Sequence, residues 1–200
     1  MNIMGAGPVC EHCGFDERGR NASNHLPLGF VLADRYTVGR SLGQGGYGIT
    51  YLCWDRHQQI PVVIKEYYPA MYVMRKNNGT VVPSSFHDKR GERFARNRER
   101  FLRAVQAYSG ASSITGMARI YGYFIANNTV YAVMEYVRGT TLRSYLQKQG
   151  GQLSVDKTVE LLQPVMETLA AMHDAGLIHG RVSPDSIILL PNGERKLVDK

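Results

Sequence analysis

A glycine cluster that runs straight into a strand constrains this chain more than any other feature. Residues 43–48 read Gly43-Gln44-Gly45-Gly46-Tyr47-Gly48, and the next six, Ile49-Thr50-Tyr51-Leu52-Cys53-Trp54, are β-branched, aromatic and aliphatic types suited to a strand. A G-x-G-x-x-G run by itself serves ordinary turns as well as phosphate loops. The dinucleotide-binding and P-loop arrangements both need a helix directly after the glycines, so this chain is neither. Its loop joins two antiparallel strands and can lie as a flap with backbone N–H groups turned toward phosphates. The strand after the next turn, Pro61-Val62-Val63-Ile64-Lys65, ends on an ammonium placed to meet those phosphates. Taken alone, a plain hairpin and a solvent-facing lysine would account for the same residues.

The rest of the chain is read by period. Tyr36 to Tyr67 predicts three strands of an antiparallel meander, with Asp55–Gln59 as the second turn. Residues 68–87 read as irregular, with Asn77-Asn78-Gly79 and Pro83-Ser84-Ser85 as turns. Over 88–108 the period becomes helical: Phe94, Phe101, Leu102, Val105 and Tyr108 share a face, and Arg93, Arg96, Arg98, Arg100 and Arg103 lie between them. The arginines read first as a solvated face, and second as a site for phosphate or an acidic partner. Two strands, 120–126 and 129–137, flank the hairpin dipeptide Asn127-Asn128. A short helix over 141–147 follows. A longer one is capped by Ser154, stopped by Gly176 and kinked at Pro164, with Val155, Val159, Leu162, Val165, Met166, Leu169 and Met172 on one face. A last hairpin, 187–190 with 196–198, turns at Asn192-Gly193.

Composition narrows the function classes. Two hundred residues, 44% hydrophobic and 20% charged, form a globular chain rather than a disordered or collagen-like one. The net charge of +7 favours anionic partners. No apolar run approaches the roughly 20 residues of a membrane span, and the first residues lack a secretory signal. Three cysteines fit a reducing, cytoplasmic setting. Residues 1–29 read as a poorly structured leader whose one feature is Cys10-Glu11-His12-Cys13-Gly14. Two thiolates at that spacing can grip zinc, but a structural site wants four ligands. Cys53 sits mid-strand and His12 and His25 are weak candidates, so the leader is expected to be metal-free, or half of a ribbon that a second chain completes.

From about Leu26 to Lys200 the sequence resembles the protein kinase family, of the bacterial serine/threonine type. Five motifs in family order carry the resemblance: 42–51 (Leu-Gly-Gln-Gly-Gly-Tyr-Gly-Ile-Thr-Tyr), 62–69 (Val-Val-Ile-Lys-Glu-Tyr-Tyr-Pro), 133–139, 177–186 and 196–200. It implies an α+β, protein-kinase-like fold: a five-stranded antiparallel N-lobe sheet with one αC-type helix over 30–137, then the first part of a helical C-lobe over 138–200. It also implies a cleft for ATP with Mg²⁺. Leu42, Gly43, Gln44, Gly45, Gly46, Tyr47 and Gly48 correspond to the flap, Lys65 to the lysine on the α/β-phosphates, and Met134 to the gatekeeper. Glu135 to Val137 correspond to the hinge at adenine, and Asp199 to the magnesium ligand.

The departures from that pattern predict the activity. The family's catalytic loop reads His-Arg-Asp with an asparagine five residues after the aspartate, whereas His179-Gly180-Arg181 puts Arg181 at the base position and Ser186 at the asparagine position. An aspartate there takes or orients the substrate's hydroxyl proton; a guanidinium has no acceptor and repels Mg²⁺. Serine is a poor substitute for the metal-binding asparagine. Ala104 stands where the family's helix carries the glutamate that pairs with the lysine, and Asp199 is followed by Lys200 instead of Phe-Gly. Val63 and Thr50 replace the smaller alanine and the usual valine around adenine. The expectation is a pseudokinase that binds a protein partner, with a homodimer through an exposed 155–172 face as one form. A fragment of a kinase that transfers the ATP γ-phosphate to protein serine or threonine is the alternative. A zinc-dependent or nucleic-acid adaptor ranks last, because the aromatic residues do not interleave with the basic ones.

Overall fold

The computed structural model describes residues 19–85, 89–111 and 113–199. The chain divides into two compact units, Met1–Arg103 with Gly122–Met134, and Ala104–Tyr121 with Glu135–Lys200.

The first unit is built on a six-stranded sheet in the order β1-β2-β3-β4-β8-β7. Its strands are β1 (Val31–Leu32), β2 (Tyr36–Gln44), β3 (Gly48–Asp55), β4 (Ile60–Tyr67), β7 (Ile120–Ala126) and β8 (Thr129–Glu135). The five expected strands are present, and the two-residue β1 adds a sixth at the edge. Alternation along β3 and β4 buries Tyr51, Cys53, Val62, Ile64 and Glu66, and leaves Thr50, Leu52, Val63 and Lys65 half-buried on the other face. Three strands separate β2 from β7, yet the rings of Tyr36 and Phe124 stack at 5.5 Å and Phe124 stacks on Tyr131 at 4.9 Å. The sheet is therefore strongly curled. Asn127 and Asn128 both take positive φ, 50° and 60°, as the two-residue hairpin requires. Helix α1 (Arg90–Gly110) lays Phe94 and Phe101 against Tyr67, at 5.7 and 5.6 Å between ring centres.

Two segments depart from the sequence reading. Residues 68–87, expected to be irregular, contain a hairpin, β5 (Val73–Arg75) with β6 (Val81–Pro83), which turns through the predicted Asn77-Asn78-Gly79. The last part of the supposed leader is ordered: Leu26 is fully buried in the sheet's core. The Asn21 side chain donates to the carbonyls of Leu26 and Gly39 and accepts from the N–H of Ser41. Both segments meet at a buried ion pair. Arg75 donates through both terminal nitrogens to Glu66, at 2.9 and 2.6 Å, while Tyr51 and Tyr131 donate to the same carboxylate at 3.0 and 2.9 Å. The Arg75 guanidinium also donates to the carbonyls of Asn24 and Gly79 and lies over the Tyr68 ring. Each carboxylate oxygen thus receives two donors, which is what allows Glu66 to sit at 0% exposure.

The second unit packs α2 (Leu142–Lys148) and α3 (Val155–Asp174) with a three-stranded sheet of β9 (Thr140–Thr141), β10 (Ile187–Leu189) and β11 (Arg195–Leu197). Thr141 caps α2 and Ser154 caps α3, each accepting from the N–H three residues on. The N–H of Leu177 reaches back to the carbonyl of Met172, and Gly176 takes φ 73° to let it do so. Helix α3 runs on through Pro164. Its buried stripe is Leu161, Val165, Thr168 and Met172, whereas Val155, Val159 and Met166, expected on the apolar face, are 78%, 52% and 55% exposed. Thr168 enters the stripe because its hydroxyl is satisfied locally: it donates to the carbonyl of Pro164, with that of Thr115 3.2 Å away.

Candidate functional site

The residues singled out from the sequence fall in both units, and each half is built by its own elements. In the first unit the glycine loop joins β2 to β3, closed by the N–H of Gly45 on the carbonyl of Gly48 at 2.9 Å. A side chain at Gly48 would put its Cβ 2.5 Å from the carbonyl oxygen of Glu66 on β4, so the crowded β3–β4 ladder dictates that glycine. Gly43 and Gly46 differ, since a Cβ at either would meet nothing within 4 Å and neither takes a positive φ. No neighbour within the protein requires glycine there, and the open space beside that backbone suits a close-approaching ligand. Leu42 and Tyr47 stand exposed on this loop, Tyr47 at its tip with its carbonyl accepting from the N–H of Tyr68. Gln44 is tied back, its side-chain oxygen meeting His25 Nε2 at 2.9 Å.

Lys65 lies opposite Thr50 in the β3–β4 register, and Val63 opposite Leu52, all on the half-buried face. The strand period thus puts the ammonium, Val63 and Thr50 on one surface. Met134, near the end of β8, is 7% exposed.

In the second unit Glu135 is the last residue of β8, and residues 136–138 after it form no regular element. Its N–H donates to the carbonyl of Arg119, and its carboxylate receives the Lys196 ammonium at 2.5 and 2.6 Å. That side chain is consumed by β11. Residues 179–181 are tethered to the segment that follows β11 and leads into Asp199. His179 holds the carbonyl of Val198 through Nε2 at 3.2 Å and the N–H of Arg181 through Nδ1 at 3.3 Å. Those two bonds together specify the neutral tautomer with its proton on Nε2.

Ser186 is 1% exposed. Its hydroxyl accepts from the N–H of Ser183 at 2.9 Å and lies 3.0–3.2 Å from the carbonyls of Ser183 and Arg181. It closes its own turn, which leaves it a structural residue and no candidate for a metal. Asp185, the one carboxylate inside the loop, is held by both oxygens against Nε of Arg143 on α2, at 2.9 and 2.7 Å. Arg181, Ala104 and Asp199 are exposed. Tyr108, which the sequence suggested only as a packing residue, donates its hydroxyl to the carbonyl of Ile178 at 2.6 Å. Burial, and then the nearby Asp199 carboxylate, hold that phenol above its ordinary range. These ties join residues 42, 61 and 70 positions apart, so no spacing in the sequence announces them.

Cys10, Cys13 and His12 lie outside the described residues. Cys53 is buried in β3, its thiol pushed up to about 12 by burial. Among the described residues, no group of three or more His, Cys, Asp or Glu gathers as a metal site. No helix there is long and apolar enough to cross a membrane.

A glycine loop between β2 and β3 with a lysine on the neighbouring β4 in one unit, and in the other a loop whose histidine bonds the residue before an aspartate, make a chain of protein-kinase type. The family description "Protein kinase domain" matches residues 36–199, and the chain belongs to that family, in its bacterial serine/threonine branch. It is 33% identical over 174 residues to serine/threonine-protein kinase PknA of Nostoc sp., an alignment covering 84% of this chain and 28% of that protein. It is 29% identical over 162 residues to serine/threonine-protein kinase D of Synechocystis sp., covering 79% and 28% respectively. The solved structure "PpkA-294 apo form" superposes with a TM-score of 0.77 at 24% identity, over 88% of this chain and 62% of that one, and shows the fold. The chain thus spans under a third of the length of these two curated relatives.

Protein kinases use ATP with Mg²⁺. The first unit's residues fit the phosphate part of that ligand, with open backbone at Gly43 and Gly46 and an ammonium at Lys65. The metal donors fit less well, because the Ser186 hydroxyl is already used within its own turn and Asp199 is the one carboxylate that remains at a position matching the family's metal ligands.

Proposed function

We propose that this chain is a kinase-family binding module that keeps the nucleotide flap and does not transfer phosphate. The observation that carries this reading is the catalytic loop. Arg181 occupies the base position, Ser186 is buried in hydrogen bonds to its own turn, and Asp185 is engaged by Arg143. No carboxylate in the loop stands ready to accept a hydroxyl proton, and a guanidinium cannot. Ala104 in place of the pairing glutamate supports the same reading. Removing such terms costs about two to four decades of rate each.

The test is phosphate transfer. Purified chain with Mg²⁺ and γ-labelled ATP should label neither itself nor a generic basic substrate above background. Transfer above background that Lys65→Met abolishes would overturn the reading. In parallel, millimolar ATP should raise the melting temperature, since a ligand bound only by the folded state stabilises it. Mg²⁺ should add little to that shift, given the single donor Asp199. The second reading, a portion of an active serine/threonine kinase, is favoured by the short span relative to the curated relatives. It predicts transfer by a longer polypeptide containing these residues.

A further inference from the structure

The chain's excess charge is concentrated in one helix. Helix α1 carries six arginines and two glutamates, a net +4 of the whole chain's +7. Helical phase sorts them. At about 100° per residue, Arg93, Arg96, Arg100 and Arg103 of α1 fall within about 80° of arc. All four are exposed. Arg98 points elsewhere: its guanidinium lies over the Phe94 ring and donates to the carbonyl and side-chain oxygens of Asn128. Arg103 meets Glu99 at 3.3 Å and Arg93 lies over the Tyr72 ring, while Arg96 and Arg100 pair with no carboxylate among the described residues. Neighbouring cations on this line are three or four residues apart, hence about 5–6 Å.

We infer that this stripe is a docking surface for an acidic segment of another polypeptide. Three features favour a single acidic chain over a broader anion. Charge complementarity is confined to one line, roughly 15 Å from Arg93 to Arg103, the length of a short helix or strand. Glu92 and Glu99 flank the line on one side, where they would repel an extended negative plane such as a bilayer but leave room for one narrow segment. None of the large exposed hydrophobic residues lies on α1, so the stripe offers neither an apolar wedge for lipid nor an aromatic platform for bases. The surface does not depend on nucleotide or on the state of the catalytic loop, so its failure would leave the proposed function standing.

The test uses the whole chain and a fluorescein-labelled 20-residue poly-glutamate peptide, followed by anisotropy at 50 mM salt. Binding should weaken steeply with added salt. Arg93→Gln/Arg96→Gln/Arg100→Gln should weaken it about tenfold or more, at about two- to threefold for each exposed contact. A control with the same loss of charge, Arg56→Gln/Lys76→Gln/Lys148→Gln, should change it less than threefold. If the triple variant folds poorly by circular dichroism, Arg96→Ala/Arg100→Ala, which favours helix, should still cost about fivefold. Equal losses in the stripe variant and the control would overturn the inference. So would tighter, stripe-dependent binding of phosphatidylserine vesicles or of a 20-nucleotide single strand.

Discussion

Arg75 and Glu66 offer the sharpest test of how the first unit is held together. The pair is nearly dry, with side chains 5% and 0% exposed, and the guanidinium makes four hydrogen bonds: two to the carboxylate and one each to the carbonyls of Asn24 and Gly79. Arg75→Met keeps the volume and removes all four. Glu66 would be left with only the Tyr51 and Tyr131 hydroxyls, and two further carbonyls would lose their donor. Breaking a buried pair from one side costs about 3–5 kcal/mol, a large part of a typical domain's stability. Trp54, the single tryptophan, sits on β3 in the same unit, so its fluorescence through a urea titration reports this unit directly. The midpoint should fall by more than about 1 M. Glu66→Leu/Arg75→Met, which removes both charges, should be more stable than Arg75→Met alone, because no charge is then left buried without its partner. A loss below about 1 kcal/mol in the single variant, or strictly additive losses across the cycle, would refute the reasoning.

The glycine loop separates structural from ligand-facing roles. Gly48→Ala forces a Cβ against the Glu66 carbonyl and should cost about 1–3 kcal/mol, whereas Gly43→Ala should melt within about 0.5 kcal/mol of the parent. An ATP-induced thermal shift that survives Gly43→Ala undiminished would argue against a phosphate beside that backbone. Asp55 gives a pH dependence: the Arg35 guanidinium, aided by the N–H groups of Gln58 and His57, holds its carboxyl below the ordinary range. A depressed carboxyl stabilises the fold above its unfolded value, near 3.9, and that contribution disappears as pH falls through the folded value. Arg35→Gln should therefore be less stable than the parent by about 1 kcal/mol at pH 6, and the gap should close below about pH 4. A gap constant from pH 6 to pH 2 would refute that origin.

Much of the fold was legible because it rests on rules that act over a few residues. Alternation put Lys65 on one face of β4 and Ile64 on the other, Asn127-Asn128 supplied the two positive φ values of a hairpin, and Ser154 and Gly176 bounded α3. Motif order carried the family for the same reason, since each motif is a short run whose types are set by local backbone needs. The candidate site was legible as a set of positions: the substitutions at Arg181, Ser186 and Ala104 are visible without coordinates. What they touch was not. Ser186 read as a weak metal ligand, and only the folded turn shows its hydroxyl already used.

Burial of charge was decided by tertiary structure. Lys65 and Glu66 are adjacent and equally polar in sequence, yet the pleat turns Glu66 inward, toward partners 9, 15 and 65 residues away. The hairpin within 68–87 and the ordered end of the leader follow from those same distant bonds, as Arg75 latches Asn24 and Gly79 together. The rotation of the buried stripe on α3 toward Leu161, Val165, Thr168 and Met172 likewise depends on what packs there and on a hydroxyl satisfied by Pro164. Local backbone preference acts within a turn or a pleat and can be read from the chain. The desolvation of a carboxylate is tolerated only when remote segments bring donors to it, and that is a property of the assembled fold.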